Sequence, residues 1–397
     1  MSKFFFGASL AAHQVEGNNK NSDWWKFEQE ILSKKGITSG LGTDHYNRFD
    51  EDFRLAKEMG HNSHRFSIEW ARIEPEEGVI NKDAIKHYKK VFQSLKKHRL
   101  QPFVTLFHFT MPLWFAEKGG FEKLGNIKYF THYVEIVGKE FREEMEYIMT
   151  MNEPEIFAYH SYLIGKWPPQ QKSYLTYRRV FWNLTKFHIE AFKVLKKINP
   201  HFKVGVAKNN QLFTPEKPAN FLDNWFTNYL CQTWNHYFLK KIHNHIDFIG
   251  LNYYFYRGVK VRWKFLKEYF QHPYHTTKHS DMGWEIFPKG IYYMIKDLAR
   301  LYKKPILVTE NGVADKDDKL RSWYLEETFK WLYRAKKEGA PLIGYLHWAL
   351  TDNFEWDSGY VPCFGLIAID YKNNFARKPR RSAKTYRKLI EKYTELM

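Results

Sequence analysis

Cysteine is almost missing from this chain of 397 residues, which has 2, Cys231 and Cys363. So few exclude a disulfide framework, and with no CxxC spacing or Cys/His cluster there is no metal-binding signature. The sequence therefore calls for no cofactor and no metal, and a reducing, cytoplasmic setting is its simplest reading. Long hydrophobic runs are also lacking. None approaches the roughly 18 apolar residues of a membrane span, so no stable membrane insertion is expected. The opening residues carry a lysine, an apolar stretch and small residues, in the manner of a secretory leader. The run 4–9 is only strand-length, however, and Gln14, Val15, Glu16 and Gly17 follow it in a pattern that reads as functional, so we take it as a strand. No Ser/Gly-rich linker breaks the chain, and residues 1–397 are expected to form a single domain.

Acidic residues are outnumbered, 44 against 62 Lys and Arg, giving a formal charge of +18 and a pI near 9.4. The lysines are scattered through helical stretches such as 86–97 and 193–197, which indicates a solvated basic surface and no nucleic-acid partner. The densest basic run, Arg377, Lys378, Arg380 and Arg381 around Pro379, is read as surface as well. Aromatic residues are abundant at 18%, with 14 Trp and 26 Tyr. Core filling accounts for most of them, and the excess suits carbohydrate sites, where sugar C–H faces stack on rings.

Short apolar runs recur at 4–9, 63–68, 103–107, 147–151, 204–207, 248–251, 306–309 and 343–347. Amphipathic stretches lie between them, for instance 50–59, 83–98, 126–144 and 182–198, so strand and helix alternate as a parallel sheet requires. Eight unbroken βα units define an α/β fold, a single (β/α)8 TIM barrel, whose chemistry sits at the C-terminal ends of the strands. The candidate residues follow that rule. Arg65 falls within strand two, His108 at the end of strand three, Asn152 and Glu153 after strand four, Asn252 after strand six, Glu310 at the end of strand seven and Trp348 after strand eight.

Two of these are glutamates in loaded contexts, Glu153 in Asn152-Glu153-Pro154 and Glu310 in Thr309-Glu310-Asn311-Gly312, each directly after an apolar run. Cleaving a glycosidic bond takes such a pair, one carboxyl protonated to donate to the leaving oxygen and one ionised to attack or stabilise the anomeric carbon. Either glutamate alone reads as a turn residue. The ordered set resembles glycoside hydrolase family 1, the retaining β-glycosidases, over essentially the whole length. The stretches that carry the likeness are Phe6 to Ser9 through Gln14-Val15-Glu16-Gly17, His64 to Trp70, Thr105 to His108, Asn152-Glu153-Pro154, Asn252-Tyr253-Tyr254, Thr309 to Gly312, and Trp348 to Tyr360.

The resemblance implies that Glu153 is the acid/base and Glu310 the nucleophile, with Arg65 and Tyr254 lowering the pKa of Glu310 and Asn152 donating to the sugar 2-hydroxyl. For the sugar subsite it carries onto Gln14, His108, Asn252, Trp348, Glu355, Trp356 and Phe364. A carboxylate at Glu355 would repel a phosphate, so a small-molecule, non-phosphorylated β-glycoside is the expected substrate. The presence of Glu153 argues against the plant thioglucosidases, which lack the acid. The function implied is an exo-acting retaining β-glycosidase without a cofactor. Net transglycosylation on the same residues and a catalytically silent sugar-binding barrel remain as alternatives; the oligomeric state is open.

The chain departs from the family pattern at Phe109, where a tryptophan is usual, at Cys363, where an arginine is common, and at Glu155, where Asn usually follows Asn-Glu-Pro. It is also shorter than most members, with trimming expected after strands five and six. Glu155 either raises the pKa of Glu153 by like-charge repulsion or points away and decorates the first turn of the next helix. After strand six, the stretch Tyr253 to Phe270, with Tyr256, Arg257, Lys260, Arg262, Trp263, Lys264, Phe265, Lys267 and Tyr269, interleaves rings and cations. They flank the expected aglycone entrance, where ordinary loop packing competes with a leaving-group or membrane-surface role.

Overall fold

Runs rich in Val, Ile, Leu and Phe that are buried on both faces can persist as strands only where helices cover the sheet, and that is how this chain uses them. The computed structural model describes residues 4–261 and 278–397. Eight parallel strands close into a barrel: β1 (Phe5–Ser9), β2 (Ser63–Ser67), β3 (Gln101–Thr105), β4 (Tyr147–Asn152), β5 (Lys203–Asn209), β6 (Phe248–Asn252), β7 (Ile306–Glu310) and β8 (Leu342–Trp348). They pair in the order β1-β8-β7-β6-β5-β4-β3-β2, and β1 closes the ring through Phe5 against Gly344 and Gly7 against Ser63. All eight expected runs are barrel strands.

The helix Lys82–Lys97 shows how the outer layer is specified. Asn81 caps it by accepting from the backbone of Asp83 and Ala84, and Lys96 and Lys97 lie in its last turn, where cations suit the helix dipole. Ala84, Ile85, Tyr88, Val91, Phe92 and Leu95, spaced at three and four, are its buried face. Losing the cap in Asn81→Ala costs about 1 kcal/mol. The longest helix, Tyr174–Ile198, begins well before the amphipathic stretch seen in the sequence, because Ser173 caps it upstream by accepting from Thr176 N.

Inside the barrel, the lower half is plugged by Phe103, Met149, Phe248, Leu307 and Leu346, with Phe5 edge-on to Phe103 at 5.1 Å. Polar side chains collect above that plug, at the strand ends. Two strand pairs lie outside the barrel, Leu212–Pro215 with Tyr256–Val259 and Ile367–Asp370 with Ala376–Pro379. The second pair bears out the reading of the basic run as surface for Lys378 and Arg381, which are exposed, and corrects it for the other two cations. Arg377 turns inward to Asp52 at 2.9 Å with 1% of its side chain exposed, and Arg380 pairs with Asp352 at 2.8 Å. Pairing with a buried carboxylate is what lets an arginine leave the surface.

Candidate active site

Every barrel strand but β2 delivers side chains from its end or the loop after it to a single cavity of about 300 Å³, lined by Gln14, His108, Asn152, Glu153, Tyr254, Glu310, Trp348, Glu355, Trp356 and Phe364 among others. Arg65 lies just beneath, fully buried on β2, and joins the two halves of the site. Its Nη1 donates to Glu310 Oε1 at 2.5 Å, its Nη2 to Asn152 Oδ1 at 2.8 Å and its Nε to Thr105 Oγ1 at 3.0 Å. Tyr254 donates its hydroxyl to the other oxygen of Glu310 at 3.0 Å. Gly312 is required two residues on, because a Cβ there would stand 1.9 Å from the Trp348 carbonyl.

Glu153 has a different environment. It is the residue after β4, held at a left-handed φ of 41° with Pro154 opening the next short helix. A non-glycine residue there costs about 1–3 kcal/mol, which surrounding structure must offset. Its Oε1 accepts from Asn252 Nδ2 at 2.8 Å and Asn209 Nδ2 at 3.1 Å. Burial, then repulsion from Glu310 and Glu155, pushes its pKa up to about 8. Burial pushes Glu310 up as well, while the Arg65 cation and the Tyr254 and Asn252 donors pull it back. The expected lowering of Glu310 below the ordinary range therefore does not hold. What does hold is the asymmetry, with a fixed cation against one carboxylate and only neutral donors against the other.

Asn252 Nδ2 donates to Glu153 Oε1 at 2.8 Å and to Asn152 Oδ1 at 3.2 Å, and its amide helps to hold the Glu310 carboxyl down. Thr309 fixes that amide's orientation by donating to Asn252 Oδ1 at 2.6 Å.

At the closed end, Asn152 Nδ2 donates to neutral His108 at 3.1 Å; burial and the nearby Arg65 hold that imidazole well below its ordinary pKa. His108 is ranged beside Trp348 and Trp356, with ring centres 6.0 and 6.2 Å away. Gln14 Nε2 donates to Asn353 Oδ1, the Phe354 carbonyl and Glu355 Oε2. Burial and the charge of Glu310 raise Glu355 to about 8. Among the described residues, Gln14 Oε1 and His108 Nδ1 are buried without a hydrogen-bond partner, and in this cavity they are available to hydroxyl groups. Phe109 packs its ring against Trp167 and Trp356 at 5.0 and 5.2 Å.

All twelve residues singled out from the sequence fall in or directly under this cavity. Of the ring-and-cation stretch, Tyr254, Phe255 and Arg257 line it. Arg262, Trp263, Lys264, Phe265, Lys267 and Tyr269 lie outside the described residues. Sequence reasoning missed Asn209, although its place at the end of β5 was a signal, and it missed Lys208 beside it. Glu155 Oε1 pairs with Lys208 Nζ at 2.9 Å, both fully buried, and accepts from Asn209 N at 2.6 Å. Glu155 thus neither decorates the helix surface nor stands as a bare charge.

A closed barrel with two buried, differently tuned carboxylates at its strand-end rim defines a glycoside hydrolase. The family model of glycosyl hydrolase family 1 matches residues 1–240 and 232–395, and the chain belongs to that family as a β-glucosidase-like hydrolase. A 1,4-beta-D-glucan glucohydrolase of Thermotoga neapolitana is 30% identical over 421 positions, covering 93% of this chain and 97% of its own length. Among solved structures, a beta-glycosidase from Pyrococcus horikoshii superposes with a TM-score of 0.91 at 35% identity, covering 98% of this chain and 93% of that one. A beta-glucosidase from Thermotoga maritima in complex with glucoimidazole gives 0.91 at 28% identity, with 98% of each chain covered. Among the described residues no helix is long and apolar enough to cross a membrane.

Proposed function

We infer that the chain is an exo-acting, retaining β-glycosidase that hydrolyses non-phosphorylated β-glycosides by double displacement, with Glu310 as nucleophile and Glu153 as acid/base. The observation that supports this most is the unequal setting of two carboxylates in one cavity: Arg65 and Tyr254 donate to Glu310, and neutral amides donate to Glu153. A fixed cation suits the carboxylate that attacks and a protonated carboxyl suits the leaving oxygen, the division of labour of a retaining enzyme.

In the first step Glu310, its charge balanced by Arg65, attacks the anomeric carbon while Glu153, protonated at neutral pH, delivers its proton to the leaving oxygen. Forming the glycosyl ester consumes the negative charge of Glu310. That removes one cause of the raised pKa of Glu153, which then takes a proton from the water that attacks the ester. Asn152, its oxygen fixed by Arg65, has an amide N–H to offer the sugar 2-hydroxyl.

Gln14, His108, Trp348 and Trp356 are buried and line the cavity together with Glu355, a setting that favours a single terminal sugar and hence exo action. Ionised Glu355 would repel a phosphate there, and its protonated form offers a single O–H in place of a cation. We further propose that residues 1–397 act as one domain, since the first and last strands pair and the C-terminal helix Arg381–Thr394 packs on Arg321–Lys337. The unpaired cysteines favour a cytoplasmic setting.

The test is proton NMR of the first sugar released from an aryl β-glucoside. Initial β-anomer supports retention; initial α-anomer rejects the assignment.

A further inference from the structure

The helix Phe221–Leu230 turns much of its apolar surface to water. Its fully buried positions are polar, Asp223 accepting from the backbones of Lys217 and Val261 with Thr227 buried beside it, and Phe226 and Leu230 are half-buried on the same side. Its outward side carries Phe221, 77% exposed, Trp225, 58% exposed, and the exposed Leu222 and Tyr229. Trp225 and Tyr229 stack at 6.1 Å.

The start of the helix Tyr174–Ile198 extends the patch with Leu175, 78% exposed, and Tyr174. Tyr177 stands beside it, its ring 6.2 Å from that of Tyr174, and burial, then Glu155 and the neighbouring Tyr174 and Tyr229, raise its hydroxyl. Single exposed apolar residues need no explanation, but a contiguous cluster marks an interaction surface.

Charge identifies the partner. Lys166, Arg179, Lys196 and Lys208 in this part of the chain are paired with carboxylates, which leaves the exposed cations beside the rings to set the sign of the surface. Lys172, Arg178 and Lys217 are exposed at the patch, Arg178 lies over the Tyr174 ring at 5.9 Å, and Lys186 lies over Trp182 at 5.1 Å. A second copy docking through the same patch would set this basic rim against itself. An anionic lipid surface complements it, while Trp, Tyr and Phe sit at the polar–apolar boundary.

We propose that this face is a peripheral docking surface for anionic membranes, reversible and without insertion of a spanning segment. Both helices follow strand ends at the rim that carries Glu153 and Glu310, so docking places the cavity on the bilayer side of the barrel. The inference is independent of the catalytic assignments.

The test is cosedimentation of the full chain with vesicles of phosphatidylcholine alone or mixed with phosphatidylglycerol, at low and high salt. Wild type should pellet with the anionic vesicles, at least tenfold less with neutral ones and at high salt. Two variants, Phe221→Ser/Trp225→Ser/Leu175→Ser and Arg178→Glu/Lys217→Glu, should each lose at least tenfold in binding while hydrolysing a soluble aryl glucoside as wild type does. The charge variant leaves the apolar groups in place, so a misfolded first variant still leaves a decisive measurement. Absence of pelleting, or equal pelleting by the charge variant, overturns the proposal. So does a wild-type dimer that the apolar substitutions dissociate, since a second copy would then be the occupant.

Discussion

Replacing Glu155 by Gln should move the basic limb of kcat/KM to lower pH. Glu155 holds Asn209 through its backbone N–H at 2.6 Å, and Asn209 holds Glu153 through its side chain at 3.1 Å. Two carboxylates bracketing one residue stand within about 10 Å, where at an effective dielectric constant of about 20 a unit charge is worth about 1.7 kcal/mol, a little over one pH unit. The sign follows from the charges. Glu155 repels ionised Glu153 and Lys208 attracts it, so removing Glu155 alone leaves the cation unopposed and lets Glu153 lose its proton earlier.

Stability should respond unequally to the two halves of the pair. In Lys208→Met, Glu155 keeps one backbone N–H for a buried charge, and the loss should be about 3–5 kcal/mol. In Glu155→Gln, Lys208 keeps the carbonyls of Asn209 and Trp234, both at 2.7 Å, and the loss should be smaller. The double variant Glu155→Gln/Lys208→Met should return the limb towards wild type and recover stability. The assay is kcat/KM from pH 5 to 10 on an aryl glucoside at low ionic strength, with thermal melts alongside. A limb that stays in place in Glu155→Gln would show that the pair has no electrical influence on Glu153.

Glu310→Gly should lose hydrolysis yet keep the fold, and azide should restore turnover with inverted product; rescue with retention would remove Glu310 from the nucleophile role. Glu153→Gln should slow alkyl glucosides far more than dinitrophenyl glucosides, each lost decade being about 1.4 kcal/mol, and equal losses across a leaving-group series would contradict acid catalysis. Because the folded pKa of Glu153 is raised, its neutral form stabilises the fold below the ordinary 4.5 and that contribution is lost as pH climbs to about 8. The melting temperature of wild type should thus fall relative to Glu153→Gln across that window; parallel curves would deny the raised pKa. Glu355→Leu removes a carboxyl that hydrogen-bonds two sugar hydroxyls, about 1–3 kcal/mol, and kcat/KM should drop about 10–10²-fold, whereas an unchanged value would exclude Glu355 from sugar binding.

The barrel was legible because each strand is a short apolar run bounded by polar residues, from Phe5–Ser9 to Leu342–Trp348. Helix starts were less so: Ser173 lies upstream of the amphipathic pattern that announces its helix. Residues with their own chemistry at strand ends, such as Glu153, Asn252 and Glu310, could be read in order. Burial partners could not. Nothing in the spacing links Glu155 to Lys208, or Arg377 to Asp52, because those pairs are made by barrel closure between residues far apart in the chain. The net pKa of Glu310 was misjudged for the same reason, since Arg65 is visible in the sequence and the degree of burial is not. Phe109 stands where a tryptophan is usual, and its ring fills the space between Trp167 and Trp356.

The measurement that bears most directly on the central claim is mass spectrometry of the protein after reaction with a 2-deoxy-2-fluoro-β-glucoside carrying a good leaving group. The fluorine slows both displacement steps and the activated leaving group speeds the first, so a glycosyl ester should accumulate. Proteolysis should place one sugar on the peptide containing Glu310, and Glu310→Gly should take up none. A label on any other side chain, or inactivation that leaves Glu310 unmodified, would contradict the account.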